Sequence, residues 1–175
     1  LPELLKRELL PGRRSIVVTG THGKTTTSSM IAWVLEHSGR APSFMIGGVP
    51  GNFPAGWSYS PESDLVVLEG DEYDTAFFDK RSKFVHYLPH ILAINNIEFD
   101  HADIFSSLDE ITLAFRRLVN IVPRNGLIVA NGDDPNTREV VGGAFTPVEL
   151  CGLGAENLWR AVDIIYEGEE TNFKV

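Results

Sequence analysis

Short apolar runs alternate along the chain with segments in which apolar residues recur at helical spacing. Five runs are brief, rich in Val, Ile and Leu, and mostly bounded by turn residues, which is typical of buried strands. They cover residues 15–20, 64–69, 90–96, 126–131 and 147–151. Strands that alternate with helices in this way predict an α/β fold, with a mostly parallel sheet and helices on both faces.

Three helices are predicted between these strands. The first has an apolar stripe within residues 30–35. The second begins at Ser107 and Glu110, whose spacing is that of a capping box, and the third begins at Asp134 and Pro135. A further segment, residues 47–61, holds four glycines and three prolines and is predicted to be a long irregular loop.

Composition narrows the class of protein. With 175 residues and 43% hydrophobic content, the chain is expected to form one domain, and because it starts at Leu1 it is expected to be part of a longer protein. A net charge of -9 argues against a general nucleic-acid surface. Cys151 is the only cysteine, which excludes an intramolecular disulfide. No apolar run approaches the roughly 18 residues of a membrane helix, so we expect a cytoplasmic protein without a membrane partner.

A glycine-rich segment joins the first strand to the first helix. Residues 20–26 read Gly-Thr-His-Gly-Lys-Thr-Thr. Glycines and a helix N-terminus allow backbone N–H groups to surround phosphate oxygens. Lys24 could then reach the terminal phosphates, and the Thr25 hydroxyl could ligate a magnesium ion that bridges them. The longer phosphate-loop pattern has glycine where this chain has Val18, so the match is to a shortened loop, and a simple strand-to-helix turn is the structural alternative.

Acidic and histidine side chains follow two other predicted strands. Glu69 ends one strand, and His101 comes soon after the next. Ligands of open parallel sheets collect at the carboxyl ends of the strands, so Glu69 could face the loop and complete a magnesium site, and His101 could ligate a metal. An acidic loop cap and a lone surface histidine are the alternatives. Asp133, at the end of a later strand, could approach a ribose or serve only its own turn.

Five motifs together resemble a known family. In chain order they are GTHGKTT, GGVPGN, EGDEYD, NNIEFDH and NGDDP, and they resemble the central, ATP-binding domain of the Mur ligases. The resemblance covers most of the chain and implies a fold similar to that of phosphate-loop NTPases. Within the family, the run EYDTAFFDKRSKFVHY looks like the members that attach L-alanyl-gamma-D-glutamyl-meso-diaminopimelate to UDP-N-acetylmuramate in peptidoglycan recycling.

The resemblance implies an ATP-dependent carboxylate–amine ligase that works through an acyl phosphate. It gives catalytic roles to Lys24, Glu69 and His101, and it makes Thr25, Glu69 and His101 the ligands of Mg²⁺. The residues implied to bind ATP are Gly20, Thr21, His22, Gly23, Lys24, Thr25, Thr26, Asn52 and Asn96.

This sequence departs from the family pattern in two ways. Several Mur ligases carry a carbamylated lysine in the helix after the histidine motif, whereas residues 107–120 here contain Arg116 and Arg117 but no lysine. The ligands of a second metal must therefore differ or include water. The N-terminal UDP-sugar domain and the C-terminal domain of the family are also not visible, so residues 1–175 are expected to be a single truncated domain that does not ligate alone.

Two other functions remain open at this point. One is the related ligase that adds free L-alanine to UDP-N-acetylmuramate. The other is a nucleotide-binding module with no ligase activity, since many proteins with a phosphate loop are switches or binding domains.

Overall fold

The computed structural model describes residues 1–76, 79–99, 105 and 107–175. The helices are α1 (Pro2–Leu4), which continues into a π-helical segment (Leu5–Leu9), α2 (Lys24–His37), α3 (Leu108–Ile121) and α4 (Pro135–Val141), with a 3₁₀ helix at Lys83–Tyr87. The strands are β1 (Arg14–Thr19), β2 (Ser43–Met45), β3 (Trp57–Ser58), β4 (Leu65–Glu69), β5 (Asp74–Ala76), β6 (Asp79–Ser82), β7 (Ile91–Ile94), β8 (Leu127–Asn131), β9 (Val148–Gly152), β10 (Trp159–Arg160), β11 (Val162–Glu167) and β12 (Glu170–Lys174).

Eight of these strands form one sheet in the order β10-β9-β8-β7-β1-β4-β2-β3. Neighbouring strands are parallel except at one edge, where β3 runs antiparallel to β2. Two hairpins, β5–β6 and β11–β12, lie outside this sheet. The mostly parallel sheet of the sequence prediction is therefore confirmed.

The sheet is packed on both faces because successive side chains of a strand point to opposite sides. Val17 belongs to a large apolar cluster that also contains Phe115 of α3, whereas its neighbour Ile16 packs in a second cluster with Ala32 of α2. Val17, Ala32 and Phe115 are almost completely buried. Because neighbouring side chains of β1 point to opposite faces of the sheet, α3 packs on one face and α2 packs on the other.

The ends of the helices agree with the predicted signals. The Ser107 hydroxyl accepts a hydrogen bond from the backbone N–H of Glu110 at 3.4 Å, so the first half of the capping box is formed. An Asp134 carboxylate oxygen accepts from the backbone N–H of Asn136 at 3.1 Å. These contacts satisfy N–H groups that have no partner within the helix itself.

The predicted irregular loop at 47–61 is wrong in one respect, because it contains β3. That strand is two residues long and pairs Trp57 with Met45 of β2. Neither β2 nor the two hairpins were predicted. β2 has only three residues, and β11 and β12 are largely exposed, so they lack the long buried apolar runs that marked the central strands. None of the helices in the described part of the chain is long and apolar enough to cross a membrane.

We predict that Phe115→Ala lowers the free energy of unfolding by about 3–5 kcal/mol, because it removes a buried aromatic ring and leaves a cavity. The ring is 1% exposed and lies 5.5 Å from the ring of Phe84. Leu113→Ala is the matched control, since Leu113 lies on the same helix and is 47% exposed. Urea denaturation measures both, and equal losses in the two variants would contradict this description of the core.

Candidate functional site

Three strand ends meet at one edge of the sheet. β1 lies between β4 and β7, and the register pairs Val18 with Glu69 on one side and Thr19 with Ile94 on the other. The chain leaves β1 toward β2 on one side of the sheet and later returns to β7 on the other side. Such a reversal of strand order opens a crevice at the carboxyl ends of the strands, where open α/β sheets bind their ligands.

The glycines of residues 20–26 occupy conformations that other residues rarely adopt. Gly20 has φ +136°, and a side chain there would meet the backbone N and O of Asn96 at 3.0 Å. Gly23 has φ +78° and is the N-cap of α2, which begins at Lys24. Glycine is therefore required at both positions, which explains the sequence signal.

Two asparagines after β7 hold this loop in place. The Asn96 backbone oxygen accepts from Thr21 N–H at 3.0 Å, and its side-chain oxygen accepts from His22 N–H at 2.7 Å. The Asn95 side chain donates to the His22 backbone oxygen and to the Thr27 hydroxyl, each at 3.1 Å. In this structure Asn96, which was predicted to bind nucleotide, is thus engaged with the loop itself. Asn95, which was not predicted, supports the loop in the same way.

Lys24 is held by a buried carboxylate. Its Nζ lies 3.2 Å from Glu72 Oε2 and donates to the Gly20 and Thr21 backbone oxygens at 2.7 and 3.2 Å. The Lys24 and Glu72 side chains are 15% and 3% exposed. Sequence reasoning selected Glu69 from the run EGDEYD and missed Glu72. The acidic run indicated a functional carboxylate in this segment. The sequence alone does not show which of these carboxylates is buried against Lys24.

Glu69 joins the loop to the segment after β2. One carboxylate oxygen accepts from the Thr25 hydroxyl at 2.9 Å, and the other accepts from Gly47 N–H at 2.7 Å. A hydroxyl and a carboxylate that converge in this way fit the oxygen ligands that Mg²⁺ prefers. The third predicted ligand, His101, lies outside the described residues. Within the described part of the chain, no three His, Cys, Asp or Glu side chains lie close enough together to hold a metal ion.

The other predicted residues lie around this crevice. His22 is exposed in the loop, and Thr26 is exposed in the first turn of α2. Thr21 is buried, and its hydroxyl exchanges hydrogen bonds with the backbone of Glu98. Asn52 is exposed in the connection between β2 and β3. The next residue, Phe53, anchors that connection against Trp33 and Phe44 with ring centroids at 5.7 and 4.5 Å.

The Asp133 carboxylate is bound by the loop that follows β9. Its carboxylate accepts from the backbone N–H groups of Leu153 and Gly154 and from the side chain of Asn157. These hydrogen bonds hold the pKa of Asp133 below its usual value. The carboxylate thus joins the end of β8 to the loop after β9, a contact that neither alternative for Asp133 had included.

Comparison with known proteins gives the family. Residues 18–175 match the Mur ligase middle domain. The chain belongs to this family. It is 47% identical over 170 residues to the UDP-N-acetylmuramate–L-alanyl-gamma-D-glutamyl-meso-2,6-diaminoheptandioate ligase of Escherichia coli K12, covering 97% of this chain and 36% of that protein. It is 34% identical to the UDP-N-acetylmuramate–L-alanine ligase of Caldanaerobacter subterraneus, covering 87% of this chain and 31% of that protein.

A solved structure agrees with this assignment. The UDP-N-acetylmuramate:L-alanyl-gamma-D-glutamyl-meso-diaminopimelate ligase from Neisseria meningitides superposes with a TM-score of 0.83 and 48% sequence identity, covering 91% of this chain and 52% of that chain. The Mur ligase central-domain fold is therefore confirmed. The chain spans about a third of the length of the two curated relatives, at 36% and 31%.

We predict that Lys24 and Glu72 stabilise the fold as a pair. Glu72→Gln should lower the free energy of unfolding by about 1–3 kcal/mol, because it leaves a largely buried ammonium without its counter-charge. Most of this loss should disappear when Lys24→Met is already present, so a double-mutant cycle should give a positive coupling energy. The exposed pair Lys174–Asp163, at 2.7 Å, is the control and should show almost no coupling. Additive losses for Lys24 and Glu72 would contradict the pairing.

Proposed function

We propose that this chain is the ATP-binding domain of a ligase that joins UDP-N-acetylmuramate to L-alanyl-gamma-D-glutamyl-meso-diaminopimelate in the cytoplasm. The observation that carries the proposal is the convergence of Lys24, Thr25 and Glu69 at the carboxyl ends of β1 and β4. An ammonium, a hydroxyl and a carboxylate at the N-terminus of a helix are the groups that a nucleoside triphosphate with its magnesium ion requires.

Each residue has a distinct role in this proposal. Lys24 neutralises charge on the terminal phosphates of ATP, and backbone N–H groups of the loop donate to the phosphate oxygens. Thr25 and Glu69, together with His101, would hold Mg²⁺, which supplies further positive charge at the phosphoryl group. Asn52, which is exposed in the connection between β2 and β3, is assigned to the terminal phosphate.

The proposed reaction needs positioning and charge neutralisation more than covalent chemistry by the protein. The carboxylate of UDP-N-acetylmuramate attacks the γ-phosphorus of ATP, and ADP leaves. The peptide amine then attacks the acyl phosphate, loses a proton and displaces inorganic phosphate to form the amide. No nucleophilic side chain is required at either step.

The similarity values support the tripeptide as the amine substrate. The relative named for the tripeptide is 47% identical to this chain, whereas the relative named for L-alanine is 34% identical. Residues 72–87, which suggested the tripeptide ligases from sequence, begin three positions after Glu69 and include Glu72, the partner of Lys24. We propose further that ligation requires the parts of the polypeptide that the relatives possess beyond this domain.

The test uses the full-length ligase with ATP, Mg²⁺ and UDP-N-acetylmuramate, offered either the tripeptide or L-alanine. We expect ADP release coupled to the amide of the tripeptide, identified by mass spectrometry. Lys24→Ala should lower kcat by about 100-fold or more, because it removes a charge that stabilises the phosphoryl group in transfer. Lys174→Ala is the control and should retain activity. A product with L-alanine alone would support the related ligase, and nucleotide binding without any amide would support a non-ligase module.

A further inference from the structure

The motif at residues 131–135, Asn-Gly-Asp-Asp-Pro, joins β8 to α4. Its second aspartate, Asp134, is the N-cap of α4. Asp134 also makes a contact beyond its own helix, because it bonds to residues 95–98, which follow β7 and are called the post-β7 segment below. A helix cap alone does not account for this second contact.

Ile97, in the middle of the post-β7 segment, needs partners for its backbone. The residue is 0% exposed, and it lies three positions beyond Ile94, where the pairing of β7 with β1 and β8 ends. The sheet ladder therefore stops before it reaches the N–H and C=O groups of Ile97. Because a buried backbone group without a partner is costly, these two groups have to be satisfied in another way.

The first turn of α4 supplies both partners. Asp134 Oδ2 accepts from the Ile97 backbone N–H at 2.7 Å, and the Asn136 side-chain amide donates to the Ile97 backbone oxygen at 2.7 Å. Oδ2 also accepts at 2.6 Å from the hydroxyl of Thr137, which is fully buried, while Oδ1 caps the helix. One carboxylate and one amide thus pair with Ile97 as an adjacent strand would. This pairing requires an acceptor at position 134 and a donor at position 136.

The residues on either side of Ile97 hold the phosphate loop. Asn96 accepts from the backbone N–H groups of Thr21 and His22, at 3.0 and 2.7 Å. The Glu98 backbone N–H donates to the Thr21 hydroxyl at 2.8 Å, and that hydroxyl donates to the Glu98 backbone oxygen at 3.2 Å. The post-β7 segment is therefore bonded to α4 through its central residue and to the phosphate loop through the neighbours of that residue.

We propose that Asp134 and Asn136 are positioning residues for ATP, which act through the post-β7 segment on the backbone of the phosphate loop. Neither side chain has to touch the nucleotide. The loop binds phosphates through its backbone N–H groups, and the post-β7 segment fixes where these groups point. A displacement of about 1 Å in such a site is enough to weaken binding and transfer strongly. This inference rests on the proposed ligase function and adds two residues of the α4 terminus to it.

The experiment measures the KM of each substrate for Asn136→Asp in the full-length ligase. The substitution keeps the size of the side chain but replaces the amide donor with an acceptor, which repels the Ile97 backbone oxygen. We expect the KM for ATP to rise about tenfold, as for the loss of one hydrogen bond. The KM values for UDP-N-acetylmuramate and the tripeptide should stay unchanged. Asn136→Ala, which adds no charge, should raise the KM for ATP as well, and Asn136→Gln should recover most of the affinity because it keeps a donor.

Val140→Ala is the matched control for lost stability. Val140 lies on the same helix, is 2% exposed and belongs to the large apolar cluster, but its side chain is not part of the pairing with Ile97. The variant should unfold more easily than the wild type and keep the wild-type KM for ATP. An equal rise of that KM in Val140→Ala and Asn136→Asp would reduce the effect to lost stability and overturn the inference.

Hydrogen exchange gives a second readout that needs no ligase activity. In the nucleotide-free, full-length protein, we expect Asn136→Asp to speed the exchange of the Thr21 and His22 amides, which donate to Asn96. Val140→Ala should leave their exchange close to that of the wild type. Unchanged exchange of these amides in Asn136→Asp, or an unchanged KM for ATP with an active wild-type enzyme, would overturn the inference. A wild-type enzyme that forms no amide would instead refute the proposed function, and the exchange rates would still test the connection between α4 and the loop.

Discussion

The parallel pairing of β1 with β4 and β7 is the constraint on which the rest of the site depends. Because the pairing is parallel and in register, the loop after β1, Glu69 after β4 and the two asparagines after β7 reach the same edge of the sheet. A slip of one residue would turn every side chain of the strand to the opposite face. The two apolar clusters resist such a slip, since they need Ile16 and Val17 on opposite faces of β1.

The charged groups of the site satisfy one another in the structure described. Lys24 contacts Glu72, and Thr25 contacts Glu69, so the groups proposed to bind ATP and its metal already have protein partners. A phosphate group that approaches Lys24 must therefore compete with a buried carboxylate and with two backbone oxygens. Such partners keep the long side chain of Lys24 ordered, which reduces the ordering cost of binding.

The sequence predicted the central strands, the three longer helices and the phosphate loop, because each depends on local signals. Continuous apolar runs indicate buried parallel strands. Ser107, Asp134 and the loop glycines indicate where helices begin. The hairpins and β2 were missed, since their pairing depends on residues distant in sequence. Glu72 was missed for a related reason. Only the tertiary fold shows that this carboxylate turns toward Lys24.

The most direct test of the central claim is a crystal structure of the full-length protein with Mg²⁺ and a non-hydrolysable ATP analogue. We predict that the terminal phosphates lie against the backbone N–H groups of residues 20–26, with Lys24 Nζ bonded to a phosphate oxygen. The metal ion should contact Thr25 and Glu69. An analogue bound elsewhere on the domain, with Lys24 still on Glu72 and no phosphate at the loop, would contradict it.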